Sequence, residues 1–131
     1  MTYREEALLH EIIAVIDDTS AYLREAYALR VLTFMEEQQI AEKHIFDELD
    51  EVATHIVAVQ DDEVVGTLRM LDRGDYFKIG LVAVRKSRRR SGVGGRMMNF
   101  ALAHASQQGY TEIKLSAQLV TEGFYAKLGF V

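Results

Sequence analysis

The 131-residue chain is 49% hydrophobic with a net charge of −5, enough apolar content for one globular domain with a sizeable core. The absence of cysteine excludes disulfides, thiolate metal sites and a cysteine nucleophile. No apolar run is long enough to span a bilayer, so no membrane partner is expected, and the charged first residues do not read as a secretory leader; a cytoplasmic protein is the expectation.

Residues 1–9 read as a loose lead-in. The stretch 9–16 fits two templates. Leu9, Ile12, Ile13 and Ile16 have helical spacing, while the β-branched content suits a strand. Asp17-Asp18-Thr19-Ser20 is a helix-start cluster. Tyr22 to about Gln38 is predicted as a helix, with Leu23, Tyr27, Val31, Phe34 and Met35 on its inward face. The stretch 36–51 is acidic, with Glu36, Glu37, Glu42, Asp47, Glu48, Asp50 and Glu51 against Lys43. It reads either as a solvated loop with short helical turns or as a rim that attracts a cationic molecule. Residues 56–59 and 64–70 are predicted strands joined at Asp61-Asp62. Arg73-Gly74-Asp75 is the next turn, and 76–84 the third strand of the meander. A helix is predicted over 93–107, with Met97, Met98, Ala101, Leu102 and Ala105 inward and Gly109 as its stop. A strand over 113–117 and a short helix from about Thr121 to Leu128 complete the chain.

The densest chemical signal is Arg89-Arg90-Ser91-Gly92-Val93-Gly94-Gly95, between the third meander strand and the long helix. Glycines let the backbone turn tightly and approach a ligand closely. The first amides of a helix lack partners and carry the positive end of its dipole, which suits an anion. The arginines add forked donors. The run is therefore read as a pyrophosphate cradle. It is neither the dinucleotide fingerprint, since position 97 is Met, nor a P-loop, since no Gly-Lys-Ser/Thr follows. Arg85, Lys86, Arg88, Arg89 and Arg90 concentrate positive charge in a chain otherwise at about −10. One basic loop suits a small polyanion; a nucleic-acid binder needs an extended basic face and interleaved aromatics, so no nucleic-acid partner is expected. His10, His44, His55 and His104 share no ligand spacing on one face, so no metal is expected.

The spacing Arg89-x-x-Gly92-x-Gly94 resembles the signature of the GNAT superfamily of N-acetyltransferases. The preceding strand Ile79-Gly80-Leu81-Val82-Ala83-Val84 and the ending Gly123-Phe124-Tyr125-Ala126-Lys127-Leu128-Gly129-Phe130 are similar to flanking motifs of that family. Phe34-Met35-Glu36-Glu37-Gln38, Phe46-Asp47-Glu48-Leu49-Asp50 and His55-Ile56-Val57-Ala58-Val59 resemble a subgroup of its small members. The resemblance implies an α/β (α+β) acyl-CoA N-acyltransferase fold, a mixed, mostly antiparallel central sheet with helices on both faces. It favours a first strand in 9–16. One more strand follows the Gly-Phe in that fold, so residues 1–131 are expected as a single domain lacking the last strand. Truncation, a tail outside the sequence and strand exchange with a partner are the alternatives, and a homodimer stays open.

The family transfers an acetyl group from acetyl-CoA to a primary amine by direct attack, which needs an anchored and oriented thioester, a base and an acid. The resemblance assigns anchoring to the amides of 90–95, with Arg89, Arg90, Ser91, Gly92, Val93, Gly94 and Gly95 as the cofactor-binding run. Orientation falls to the backbone of Val82, Ala83 and Val84, which can pair with the amide-rich pantetheine arm as a strand would. Gln118 stands where many members carry Asn to contact that arm, and Thr121 replaces a common Ala. Tyr125 is the expected acid to the departing thiolate, with aromatic packing as its alternative role. Many relatives place a basic Glu on the strand matching 76–84; here Lys78 is present and no acid, and Leu81 stands where the subgroup often shows Arg. Glu37, Asp47, Asp72 and His55 are the base candidates. The acceptor is expected to be a small-molecule or protein amine. A non-catalytic acyl-CoA-binding sensor or interaction module is the alternative function.

Overall fold

A computed structural model of the chain describes residues 10–115. The ambiguous stretch resolves as a strand, β1 (Glu11–Ile16), antiparallel to β2 (Thr54–Gln60). Pairing decides where periodicity could not: a strand here places Ile13 against the core on one face of the sheet and Ile16 against the core on the other. β2 turns into β3 (Glu63–Asp72) through Asp61 and Asp62, whose φ angles of 50° and 64° are those of a two-residue hairpin turn. β4 (Phe77–Val84) follows antiparallel, and β5 (Ile113–Leu115) pairs with β4 in parallel. The sheet order is the chain order. The predicted strand 113–117 is described as far as Leu115, and the predicted C-terminal helix lies outside the described residues.

Helices cover both faces. Helix α1 (Ala21–Arg30) begins at Ser20, whose hydroxyl accepts from the Tyr22 amide, and runs on as a π-helical segment, Val31–Glu37. The predicted inward face needs correction. Ala26, Leu29, Arg30, Thr33 and Phe34 are buried, while Leu23, Tyr27, Val31 and Met35 are half-buried. A 3.6-residue period fails across a segment with the wider π spacing, and Arg30 enters the interior because an acid meets it there. Helix α2 (Val93–Gln107) packs on the other face through Val93, Met97, Met98, Ala101 and Ala105; Leu102 is half-buried instead of inward. Stretch 36–51 does contain short helical turns, at Glu42–His44 and Glu48–Glu51, but Asp47 and Asp50 are bound to arginines, and Asp50 is largely withdrawn from solvent.

Two bulges set the phase of the sheet. In β3 an extra residue lets Val65 and Gly66 both face α2, and a Cβ on Gly66 would stand 2.7 Å from Met97 Cε and 3.1 Å from Val93 Cγ1. Glycine there lets α2 approach the sheet. In β4 the register advances from Gly80 to Ala83 while β3 advances only from Arg69 to Thr67. The extra residue lies at Leu81, whose φ is +52°. Phe77 and Ile79 face α2, yet Leu81 packs into the α1-side core. A left-handed non-glycine residue costs about 1–2 kcal/mol, and burying the leucine side chain returns roughly 1.5–3 kcal/mol, so the bulge is sustained by packing.

Met97 is fully buried against Gly66. Met97→Ala is expected to cost about 2–4 kcal/mol in a urea titration. Gly66→Ala should cost less in that background than in the wild type, because its methyl enters space the methionine has left; equal costs in both would refute the close packing.

Candidate functional site

The carboxyl end of β4 and the start of α2 are joined by a loop with two left-handed residues. Arg85 extends the ladder by donating its amide to Val65 O at 2.7 Å. A short turn, Lys86–Arg88, follows, then Arg90 at φ +65° and Gly92 at φ +90°. Gly92 is the N-cap of α2 and supplies no side-chain cap, and the first intrahelical bond runs from the Arg96 amide to Gly92 O at 3.0 Å. The amides of Val93, Gly94 and Gly95 are thereby left without intrahelical acceptors, at the positive end of a 15-residue helix. Alternating left-handed residues beside such a terminus form a concave nest of N–H groups. The φ of +90° favours glycine at 92, and a Cβ there would lie 2.6 Å from Arg96 Nη1 and push that guanidinium aside. Such a concavity of free N–H groups is suited to an anion.

Most of the loop's cations already have partners. Arg89 forks onto Glu37 with N···O distances of 2.8 and 3.0 Å and donates Nε to Val84 O at 2.9 Å. Arg85 pairs with Glu63 at 2.8 Å, and Arg88 donates to Gln60 Oε1 at 3.0 Å. The Ser91 hydroxyl donates to Arg88 O. Among the described residues only Lys86 and Arg90 of this cluster have no acid or carbonyl partner, and both are exposed. The positive charge offered to a ligand is therefore carried by backbone amides, Arg90 and Lys86 more than by the whole run. Next to the loop, β3 pairs along one side of β4, and the described part of β5 pairs with Phe77–Ile79 on the other. The backbone of Val82, Ala83 and Val84 lies on β4, just past the bulge.

A polar cluster sits on the α1 side of the sheet. Arg30, 1% exposed, donates Nη1 to Asp50 Oδ1 at 2.8 Å and to Ile45 O at 3.1 Å. The rings of Tyr27 and Phe46 lie 4.9 and 5.5 Å from its guanidinium carbon. Arg69 donates to Asp47 at 2.7 Å and to Asp50 at 3.1 Å. Burial works against the Asp47 charge, but the Arg69 hydrogen bond and charge outweigh it and hold the carboxyl below its usual range. His55, the cross-strand partner of Arg69, meets Asp50 O through Nε2 at 2.8 Å. A carbonyl can only accept, so Nε2 carries the proton and the buried Nδ1 is a bare lone pair without a partner among the described residues. Burial pushes the His55 pKa down, with the neighbouring Arg30 and Arg69 charges adding to it. Arg69 is also the register partner of Gly80, so this cluster adjoins the β4 bulge.

Residues 15–131 match the family model for the acetyltransferase (GNAT) domain. The chain is 32% identical over 117 residues to the uncharacterized N-acetyltransferase YjcF of Bacillus subtilis, covering 89% of this chain and 84% of that protein. An acyl-CoA N-acyltransferase from Pseudomonas aeruginosa is similar in structure at TM-score 0.79, with 28% identity over 92% of this chain and 88% of the other. A GNAT family acetyltransferase from Brucella melitensis, solved in complex with acetyl-CoA, shares the fold at TM-score 0.77 and 22% identity, covering 93% and 83% of the two chains. The chain belongs to the GNAT acetyltransferase family.

The structure brings Arg89, Arg90, Ser91, Gly92, Val93, Gly94 and Gly95 into one loop and helix start, adjacent to Val84. Gln118, Thr121 and Tyr125 lie outside the described residues. The four base candidates are dispersed: Glu37 at the cradle, Asp47 and His55 in the polar cluster, and Asp72 at the last position of β3, accepting from the Tyr110 hydroxyl and the Gly74 amide. Sequence reasoning missed Glu11, Gln60 and Arg96, which brace the loop, and Arg30 and Arg69, which tie the acidic stretch to the sheet through Asp50. An arginine within an apolar helical pattern was the only local sign of the second group.

The His55 environment gives a pH prediction. The fold holds this imidazole neutral, whereas the unfolded chain protonates it below about 6.5. The unfolded state then binds the extra proton, so stability falls as the pH drops below 6.5 and is fully present above it. Thermal melts between pH 7.5 and 5 should show this decline, at most about 1.4 kcal/mol per pH unit. His55→Gln should flatten it in that window, which lies above the range where Glu11 and Asp47 titrate. An unchanged slope in the variant would refute the assignment.

Proposed function

We propose that the chain is an acetyl-CoA-dependent N-acetyltransferase that passes an acetyl group to a primary amine by direct attack. The observation that carries this reading is the cradle: amides of Val93–Gly95 without intrahelical acceptors behind the left-handed Gly92, beside the bulged strand β4. Family membership and the fold shared with a protein solved with acetyl-CoA support it.

Bound acetyl-CoA supplies the activated acyl group. Arg90 and the amides of 91–95 hold its diphosphate, and the backbone of Val82, Ala83 and Val84 pairs with the pantetheine arm, with Gln118 as a further contact. An amide at the bulge, where Leu81 departs from the ladder, donates to the carbonyl oxygen as negative charge develops. The amine nitrogen forms the C–N bond as the C–S bond breaks. Tyr125 gives the thiolate its proton, and the proton shed by the amine passes to water or to a base of the polar cluster. The acidic edge around Asp47 and Glu48 favours approach of a cationic acceptor, small molecule or protein amine.

A specific observation favours the second reading, an acyl-CoA-binding module without catalysis: Glu37 and Asp47 are both committed to arginines, and β4 carries no acid. Acetyl transfer to any member of an amine panel decides against it.

Calorimetric titration with acetyl-CoA is expected to give binding that dephosphorylated analogues lacking the diphosphate lose. Gly92→Val should abolish it while leaving the protein folded; retained binding would refute the cradle. Tyr125→Phe should leave affinity within about twofold and lower turnover by about 10²-fold or more. Unchanged turnover would reassign the phenol to packing.

A further inference from the structure

The cradle is held in shape by a carboxylate that lies far from it in sequence. Glu11, on β1 at the end of the described sheet, has a side chain only 7% exposed, and both its oxygens are engaged. Arg96 Nε donates to Oε2 at 2.6 Å and Arg96 Nη2 to Oε1 at 2.8 Å, a forked pair between residues 85 apart. Gln60, the register partner of Glu11, donates to the same Oε1 at 2.9 Å. Each of these two side chains then reaches one end of the loop. Gln60 Oε1 receives Arg88 Nε at 3.0 Å, and Arg96 Nη1 donates to Ser91 O at 3.1 Å. The loop is thus fixed at its entry and at its apex by one carboxyl group.

We propose that Glu11 is the positioning residue of the diphosphate cradle, acting through Arg96 on the Ser91–Gly92 peptide and through Gln60 on Arg88; this rests on the acetyl-CoA reading above. The carbonyl of Ser91 and the N–H of Gly92 belong to one trans peptide and point opposite ways. Drawing that carbonyl onto Arg96 aims the Gly92 amide away from Arg96. The guanidinium needed for this occupies the space in which a Cβ at 92 would stand, so the glycine and the brace depend on each other. The Glu11 charge also neutralises Arg96, and each holds the other ionised: the Arg96 hydrogen bond draws the Glu11 carboxyl below its ordinary range, and the Arg96 pKa rises in turn. An ion pair used only for stability would not need its third guanidinium nitrogen on a loop carbonyl.

The test compares Glu11→Gln and Arg96→Met with the wild type by acetyl-CoA titration and by amide hydrogen exchange. Each variant should raise Kd about tenfold, and the double variant should be no worse than the weaker single, as expected of two residues acting as a unit. Exchange should accelerate at the hydrogen-bonded amides that flank the loop, Arg88, Arg89 and Arg96, and stay unchanged across Thr54–Gln60 and Glu63–Asp72, a confinement that general destabilisation would not give. Folded variants with wild-type Kd and wild-type exchange at Arg88, Arg89 and Arg96 would overturn the proposal. Exchange that rises equally across the sheet would overturn it too, by making Glu11 a stability residue. If the wild type itself binds no acetyl-CoA, the functional reading falls, and the exchange pattern alone judges the brace.

Discussion

One extra residue in β4 governs the geometry of the site. Without it, Leu81 would face α2 with Phe77 and Ile79, and the α1-side core would lose the leucine that fills it. With it, the strand changes phase at Leu81, and Val82 and Ala83 send consecutive side chains into the two cores. The two cores hold β4 in place while the ladder to β3 is interrupted at the bulge. The phase change of the strand and the interruption of its ladder to β3 therefore share one cause.

The charges around the loop divide between holding and binding. Arginines usually attract attention as phosphate ligands, but here several act as struts: Arg85 to Glu63, Arg89 to Glu37 and Val84 O, Arg88 to Gln60, and Arg96 to Glu11. Each strut ties the loop to a different element of the fold, namely β3, the end of the α1 segment, β2 and β1. Exposed pairs contribute little to stability, about 0–1 kcal/mol. Their joint effect is on shape, since a nest of amides binds only when its N–H groups converge. The acidity of the chain as a whole thus supports a basic loop by supplying its counter-charges.

The sequence made legible what is local. The Asp61-Asp62 hairpin, the Gly92 helix start and the glycine-arginine spacing all sit within a few residues of their structural effect. The meander and α2 followed from periodicity. The π-helical segment was hidden, because apolar spacing cannot separate a long α-helix from one that widens after Arg30. The acidic stretch was misjudged in part because Asp50 meets Arg30 twenty residues upstream and Arg69 nineteen downstream, partners that only folding supplies. Glu11 was invisible for the same reason: nothing near it in sequence distinguishes a carboxylate on an apolar strand from a solubilising edge charge.

The polar cluster shows why such pairs persist despite their desolvation cost. Replacing a buried ion pair by apolar residues is often neutral or favourable, while losing one partner costs about 3–5 kcal/mol. Arg30 and Asp50 therefore contribute less as a source of stability than as a constraint on arrangement. Asp50 receives Arg30 from α1 and Arg69 from β3, and its backbone carbonyl accepts a hydrogen bond from His55 Nε2–H of β2. Stretch 36–51 is short of regular structure and would otherwise have little to fix its position. Asp50 anchors it over the sheet beside Arg69, whose backbone partner Gly80 immediately precedes the bulge. Stretch 36–51 and β4 are thus referenced to the same cross-strand pair of the sheet, Arg69 and Gly80, so a shift of either element must disturb the other.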